Sequence, residues 1–106
     1  MNKNVIILKD IKNHLSNQFG SEVTKVILFG SRSKNMEHPD SDYDILIILK
    51  TKHNWETKFK IIDLCYDIDL KHDIIIDPHI LAEEEINTLR GKQPIFSNAL
   101  QNGITL

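Results

Sequence analysis

The sequence predicts an α+β fold, a small mixed and mainly antiparallel sheet flanked by helices. Three observations predict it. Apolar residues alternate along the chain between helical spacing and β-branched runs. The resulting elements follow the order α, β, β, α, β, α, α. The link between the first two strands is too short for a crossover helix packed on a sheet, so those strands pair antiparallel.

Val5, Leu8, Ile11, Leu15 and Phe19 recur at helical spacing and Gly20 follows as a stop, which predicts an amphipathic first helix. Val23–Phe29 is β-branched and apolar and reads as a strand ending at Gly30. Residues 31–41 are polar, with a turn at Pro39-Asp40-Ser41. Residues 42–49 form the second strand, whose isoleucine-rich end implies burial on both faces. Trp55, Phe59, Ile62 and Tyr66 recur at intervals of four, three and four, so residues 54–67 are expected to be a helix with that apolar face in the core, capped by Asn54 or Thr51. A third strand is expected over residues 72–77, stopped by Pro78, which has no N–H for a ladder. Residues 82–90 read as a helix with Glu83, Glu84 and Glu85 in its first turn and Gly91 past its end. Residues 94–101 read as a last short helix closed near Gly103.

Composition narrows the function classes. The 106 residues fit one domain, and a chain of that length buries only part of its surface, which leaves a partner or an oligomer to complete it. The hydrophobic fraction is 41% and the charged fraction 26%, as in soluble globular proteins, and no low-complexity segment or repeat interrupts the pattern. A net charge of -2 with lysines and acids interspersed provides no basic stripe, so general nucleic-acid binding is not expected. The first apolar run is too short for a signal peptide and none reaches membrane-spanning length, which points to a cytoplasmic protein. Cys65 is the single cysteine and sits among apolar neighbours, as a buried structural thiol would. His14, His38, His53, His72 and His79 are scattered over different elements without the spacing of a zinc site.

The chemistry concentrates around Gly30-Ser31-Arg32 and Asp42-Tyr43-Asp44, a Gly-Ser pair separated by ten residues from Asp-x-Asp. Asp42 and Asp44 are two apart at the start of a strand, so they point to one face. Adjacent like charges repel, and a hard cation bound between them resolves the repulsion. Gly30 lies where a strand gives way to a turn and lets backbone N–H groups approach a phosphate. Ser31 adds a hydroxyl and Arg32 a positive charge near the same oxygens. Antiparallel pairing brings this phosphate cradle beside the carboxylates. A third acid is expected from another strand. Asp73 is the first candidate because, like Asp42 and Asp44, it would enter its strand at the N-terminal end. Asp77 lies on the same predicted face and Asp69 is close in sequence, so both are rivals.

Through Gly30-Ser31, Asp42-x-Asp44 and Asp73 the sequence resembles the DNA polymerase beta-like nucleotidyltransferase superfamily, and within it the minimal nucleotidyltransferase branch, over residues 5–103. The resemblance implies the nucleotidyltransferase fold, two magnesium ions, ATP as donor, and transfer of a nucleoside monophosphate to an acceptor hydroxyl. It also implies that Asp42 and Asp44 bind both metals, while Asp73 binds the catalytic metal and helps deprotonate the acceptor. The same branch implies an antitoxin whose partner is a helical HEPN-type toxin, adenylylated on a tyrosine. Two alternatives stay open beside it: a non-catalytic antitoxin acting by contact alone, and a transferase acting on a small molecule such as an aminoglycoside or on tRNA.

Overall fold

The computed structural model describes residues 2–30 and 42–106. Helix α1 spans Lys3–Phe19, with the Asn2 side chain accepting the Val5 N–H at its start and Gly20 at its end in a positive-φ conformation (57°) that glycine adopts without penalty. Strand β1 is Val23–Phe29 and β2 is Tyr43–Leu49. Helix α2, Trp55–His72, is capped by the Asn54 side chain on the Thr57 N–H. Strand β3 is Ile76–Ala82, helix α3 is Pro94–Asn102, and a two-residue strand β4, Ile104–Thr105, ends the chain.

The sheet order is β3-β2-β1-β4. β1 pairs antiparallel with β2 and β4, and β2 pairs parallel with β3 across the α2 crossover. β2 therefore lies inside the sheet, which is why five consecutive residues, Ile45, Leu46, Ile47, Ile48 and Leu49, are all buried. One sheet face, including Val26, Leu28, Ile45 and Ile47, packs under α1 (Ile7, Leu8, Ile11, Leu15) and α2 (Ile61, Cys65, Ile68). The other, with Ile27, Phe29, Leu46, Ile48 and Leu81, packs under α3 through Phe96 and Ala99. Burial pushes the Cys65 thiol up to about 12, with Asp69 adding to the shift, so it stays protonated and inert. No described helix is long and apolar enough to cross a membrane.

Four local expectations are corrected. The chain from His72 does not enter a strand: α2 runs on to His72, Asp73 closes it in the left-handed conformation (φ 54°, ψ 53°), and the strand starts only at Ile76. The N–H groups of Asp73 and Ile74 both return to the Asp69 carbonyl, a helix-closing arrangement that prevails over the β-branched run. Pro78 lies within β3 instead of ending it, because β3 is an edge strand and a missing N–H on the open side costs no ladder bond. The helix expected over residues 82–90 does not form: Ala82 ends β3, and residues 83–90 make one short 3-10 turn, Glu83–Glu85, and further turns. There the buried Glu85 accepts the Ala82 N–H (3.0 Å) and faces Arg90 Nε (3.4 Å), while Thr88 Oγ1 donates to the Glu85 carbonyl (2.6 Å). Local side-chain bonds of this kind compete with helix formation. Finally, Trp55 and Phe59 are not core residues: they are 68% and 54% exposed, and α2 buries Ile61, Cys65 and Ile68 instead.

Candidate functional site

Parallel pairing of β2 with β3 places Asp44 opposite Asp77, and antiparallel pairing with β1 places it opposite Phe29. Asp44 shares the sheet face of Leu46 and Ile48, and Asp77 that of His79 and Leu81, so the polar groups continue the α3-side core towards the end of the sheet. Donor atoms of Asp44, Asp77 and His79 lie within 4.8 Å of one another. His79 Nε2 is 3.2 Å from Asp77 Oδ2, and its ring packs 5.7 Å from that of Phe29.

Electrostatics favour a cation here. Asp44 is held above the usual carboxylate range, first by burial and then by the negative charge of Asp77, with Asp42 adding to it and His79 opposing it. Asp42 is exposed just before β2. Two carboxylates and an imidazole that converge within a metal's coordination sphere fit a divalent cation, whose charge would remove the repulsion that raises Asp44.

Gly30 follows β1 at φ 75°, and a Cβ there would collide with Asp44 Oδ2. The glycine is thus required twice, by its backbone and by the carboxylate lying against it. Ser31 and Arg32 lie outside the described residues.

The structure brings Asp44 and Asp77 together and leaves Asp73 apart. Asp73 is exposed at the α2 C-terminus, off the strand it was expected to begin. Asp69 has other work: its carboxylate accepts the Ile76 N–H (2.9 Å) and anchors the start of β3. Burial raises Asp69 above the usual range, the Ile76 bond lowers it, and the nearby Asp42 raises it further. His79, expected to be an ordinary histidine, stands beside Asp77 and Asp44. Its signal was the Asp77-x-His79 spacing, which puts both side chains on one strand face once β3 is allowed to run through Pro78.

The chain matches the family described as polymerase beta nucleotidyltransferase over residues 9–104. Two proteins of Methanocaldococcus jannaschii named as candidate protein adenylyltransferases are similar to it. One is 35% identical across 77% of this chain and 82% of its own length. The other is 31% identical across 93% of each. The fold is shared with two crystal structures of a toxin-antitoxin pair, MntA-HpeT. One, with a tyrosine replaced by alanine, has TM-score 0.63 and 20% identity over all of this chain and 72% of that one. The other, with two aspartates two positions apart replaced by glutamate, has TM-score 0.64 and 18% identity over 99% and 72%.

Proposed function

The chain belongs to the polymerase beta nucleotidyltransferase family, and from that premise we propose that it transfers AMP from ATP to a hydroxyl of a partner protein, as the antitoxin of a helical HEPN-type toxin. The observation that carries the chemistry is the in-register pair Asp44 and Asp77, closed by His79 and lying against Gly30. In the proposed reaction the acceptor oxygen forms a bond to the α-phosphorus of ATP, the bond to the bridging oxygen breaks, pyrophosphate leaves, and the hydroxyl proton passes to a carboxylate.

Asp42, Asp44 and Asp77 would hold magnesium, two ions by the logic of the family. When bound, magnesium supplies charge that activates the acceptor oxygen and steadies the leaving oxygens. Asp77 takes the role first assigned to Asp73, since it stands opposite Asp44 and Asp73 does not. Burial and the Asp77 charge push the Asp44 carboxyl up, and a cation bound between the two carboxylates would offset that repulsion. Gly30 keeps the approach to Asp44 open, and Ser31 and Arg32, next in sequence, are the residues proposed to bind the phosphates.

A protein acceptor is supported by the names of the two archaeal relatives. A toxin partner is supported by the shared fold with the MntA-HpeT toxin-antitoxin pair. The test is incubation of the purified chain with α-labelled ATP, magnesium and the protein that co-purifies with it. Label should move to that protein from the wild type and from Asp73→Asn, and not from Asp77→Asn. Equal labelling by Asp77→Asn, or none by Asp73→Asn, would overturn the assignment.

A further inference from the structure

Three of the described histidines tie distant parts of the chain together. His14 on α1 bonds to Asp67 on α2 (2.9 Å), His72 at the end of α2 bonds to Asp10 on α1 (2.6 Å), and His53 before α2 bonds to Glu22 just before β1 (2.8 Å). Each is a structural use of an imidazole, a bond to an acid that folding brings near. His79 is turned differently. Its Nε2 lies 3.2 Å from Oδ2 of Asp77, two residues away on the same strand, and that bond joins no two elements of the fold.

Strand alternation puts the side chains of Asp77 and His79 on one face, and the parallel register sets Asp77 opposite Asp44 and His79 opposite Leu46. The imidazole thus extends the carboxylate pair by one nitrogen, with donor atoms of all three residues within 4.8 Å of one another. The Phe29 ring packs against the imidazole at 5.7 Å and the His79 side chain is only 22% exposed, so the ring is steadied before a ligand arrives. In the metal-free chain a proton can join Nε2 to Asp77. An ion between the three side chains would take the place of that proton and accept a lone pair from each.

The added donor decides which ion the set prefers. Carboxylate and phosphate oxygens suit magnesium, a hard ion that takes oxygen ligands and sheds water reluctantly. Imidazole nitrogen is a softer donor that suits first-row transition ions, and manganese(II) is the one among them that also takes carboxylate and phosphate oxygens readily. We propose that His79 is a ligand of the cation held by Asp44 and Asp77, and that its nitrogen makes this position select manganese(II) over magnesium. The inference rests on the metal-binding reading of these carboxylates and adds to it the residue that sets the choice of ion.

Calorimetric titration of the full chain with each ion, and electron paramagnetic resonance of bound manganese, read the preference without any turnover. The wild type should bind manganese more tightly than magnesium, and the electron spin echo of bound manganese should carry a nitrogen coupling. His79→Gln should weaken manganese binding about tenfold or more, leave magnesium binding within about twofold, and abolish the coupling. His79→Asp, which restores a donor as oxygen, should bind magnesium at least as well as the wild type while the manganese preference stays lost. Absence of the nitrogen coupling in the wild type overturns the inference without any variant having to fold. Equal weakening of both ions by His79→Gln also overturns it, since His79 would then only position Asp77, and the reading of the carboxylates would stand. Asp77→Asn should lose both ions; if it binds them as the wild type does, that reading falls and the inference with it.

Discussion

The two ends of the sheet both carry acidic side chains, and they treat them in opposite ways. Beyond the start of β1, Glu22 is bonded to His53 Nε2 (2.8 Å) and accepts from Thr51 Oγ1 (2.9 Å), and these bonds, His53 first, hold its carboxyl below the usual range. At the other end Asp44 meets Asp77, and burial together with that like charge holds it above the usual range. Glu22 is given donors, whereas Asp44 is left beside another carboxylate, a repulsion that the proposed cation would relieve.

The largest effect that would sharpen this contrast is on transfer. Asp44→Asn and Asp77→Asn should each lower labelling of the partner about a thousandfold or more, the scale of losing charge stabilisation in a phosphoryl-transfer site. Glu22→Gln should leave labelling unchanged. A large loss with Glu22→Gln would break the contrast outright.

Next is Gly30→Ala. Its Cβ would meet Asp44 Oδ2 in a positive-φ backbone, so both the carboxylate and the turn are displaced. Stability should fall by about 1–3 kcal/mol and labelling by about a hundredfold, read by thermal melting and by initial rates.

Divalent cation should then raise the melting temperature. At a hundredfold excess over its dissociation constant the gain is about 2.7 kcal/mol, several degrees for a chain of this size, and Asp77→Asn should abolish it. An equal gain in that variant would place the cation elsewhere.

The pH dependence separates the two ends by sign. Glu22, with its folded pKa lowered from 4.5, contributes stability that is present above 4.5 and lost as pH falls through its lower folded value. Asp44, raised from 3.8, does the reverse: metal-free protein loses stability as pH rises from 3.8 through the raised folded value. Asp44→Asn should therefore stabilise the metal-free chain at neutral pH, and Glu22→Gln should remove part of the acid-side loss.

The smallest effect concerns Asp73. Its left-handed conformation is one that glycine adopts freely, so Asp73→Gly should stabilise by about 0.5–1 kcal/mol, with labelling retained.

Much of this molecule was legible in one dimension. The helix beginning among Val5 and Leu8 and stopping at Gly20, the strand Val23–Phe29, the Asn54 cap and the last helix before Gly103 follow from periodicity and from residues with strong local preferences. So does the convergence of Gly30 with Asp44, because a hairpin-like pairing of neighbouring strands brings them together.

Tertiary structure decided the rest. Whether Asp73 or Asp77 faces Asp44 depended on where α2 ends and on β3 docking in parallel register, a pairing across some thirty residues that local pattern does not encode. Which side of α2 goes inward was decided the same way. Both the Trp55 side and the Ile61 side are apolar at helical spacing, and only the position of the sheet and α1 determined that Ile61, Cys65 and Ile68 would be buried. The sequence by itself set periods, stops and the types of side chain available. The three-dimensional packing chose among faces and registers, because burial is a property of what lies opposite a residue and not of the residue alone.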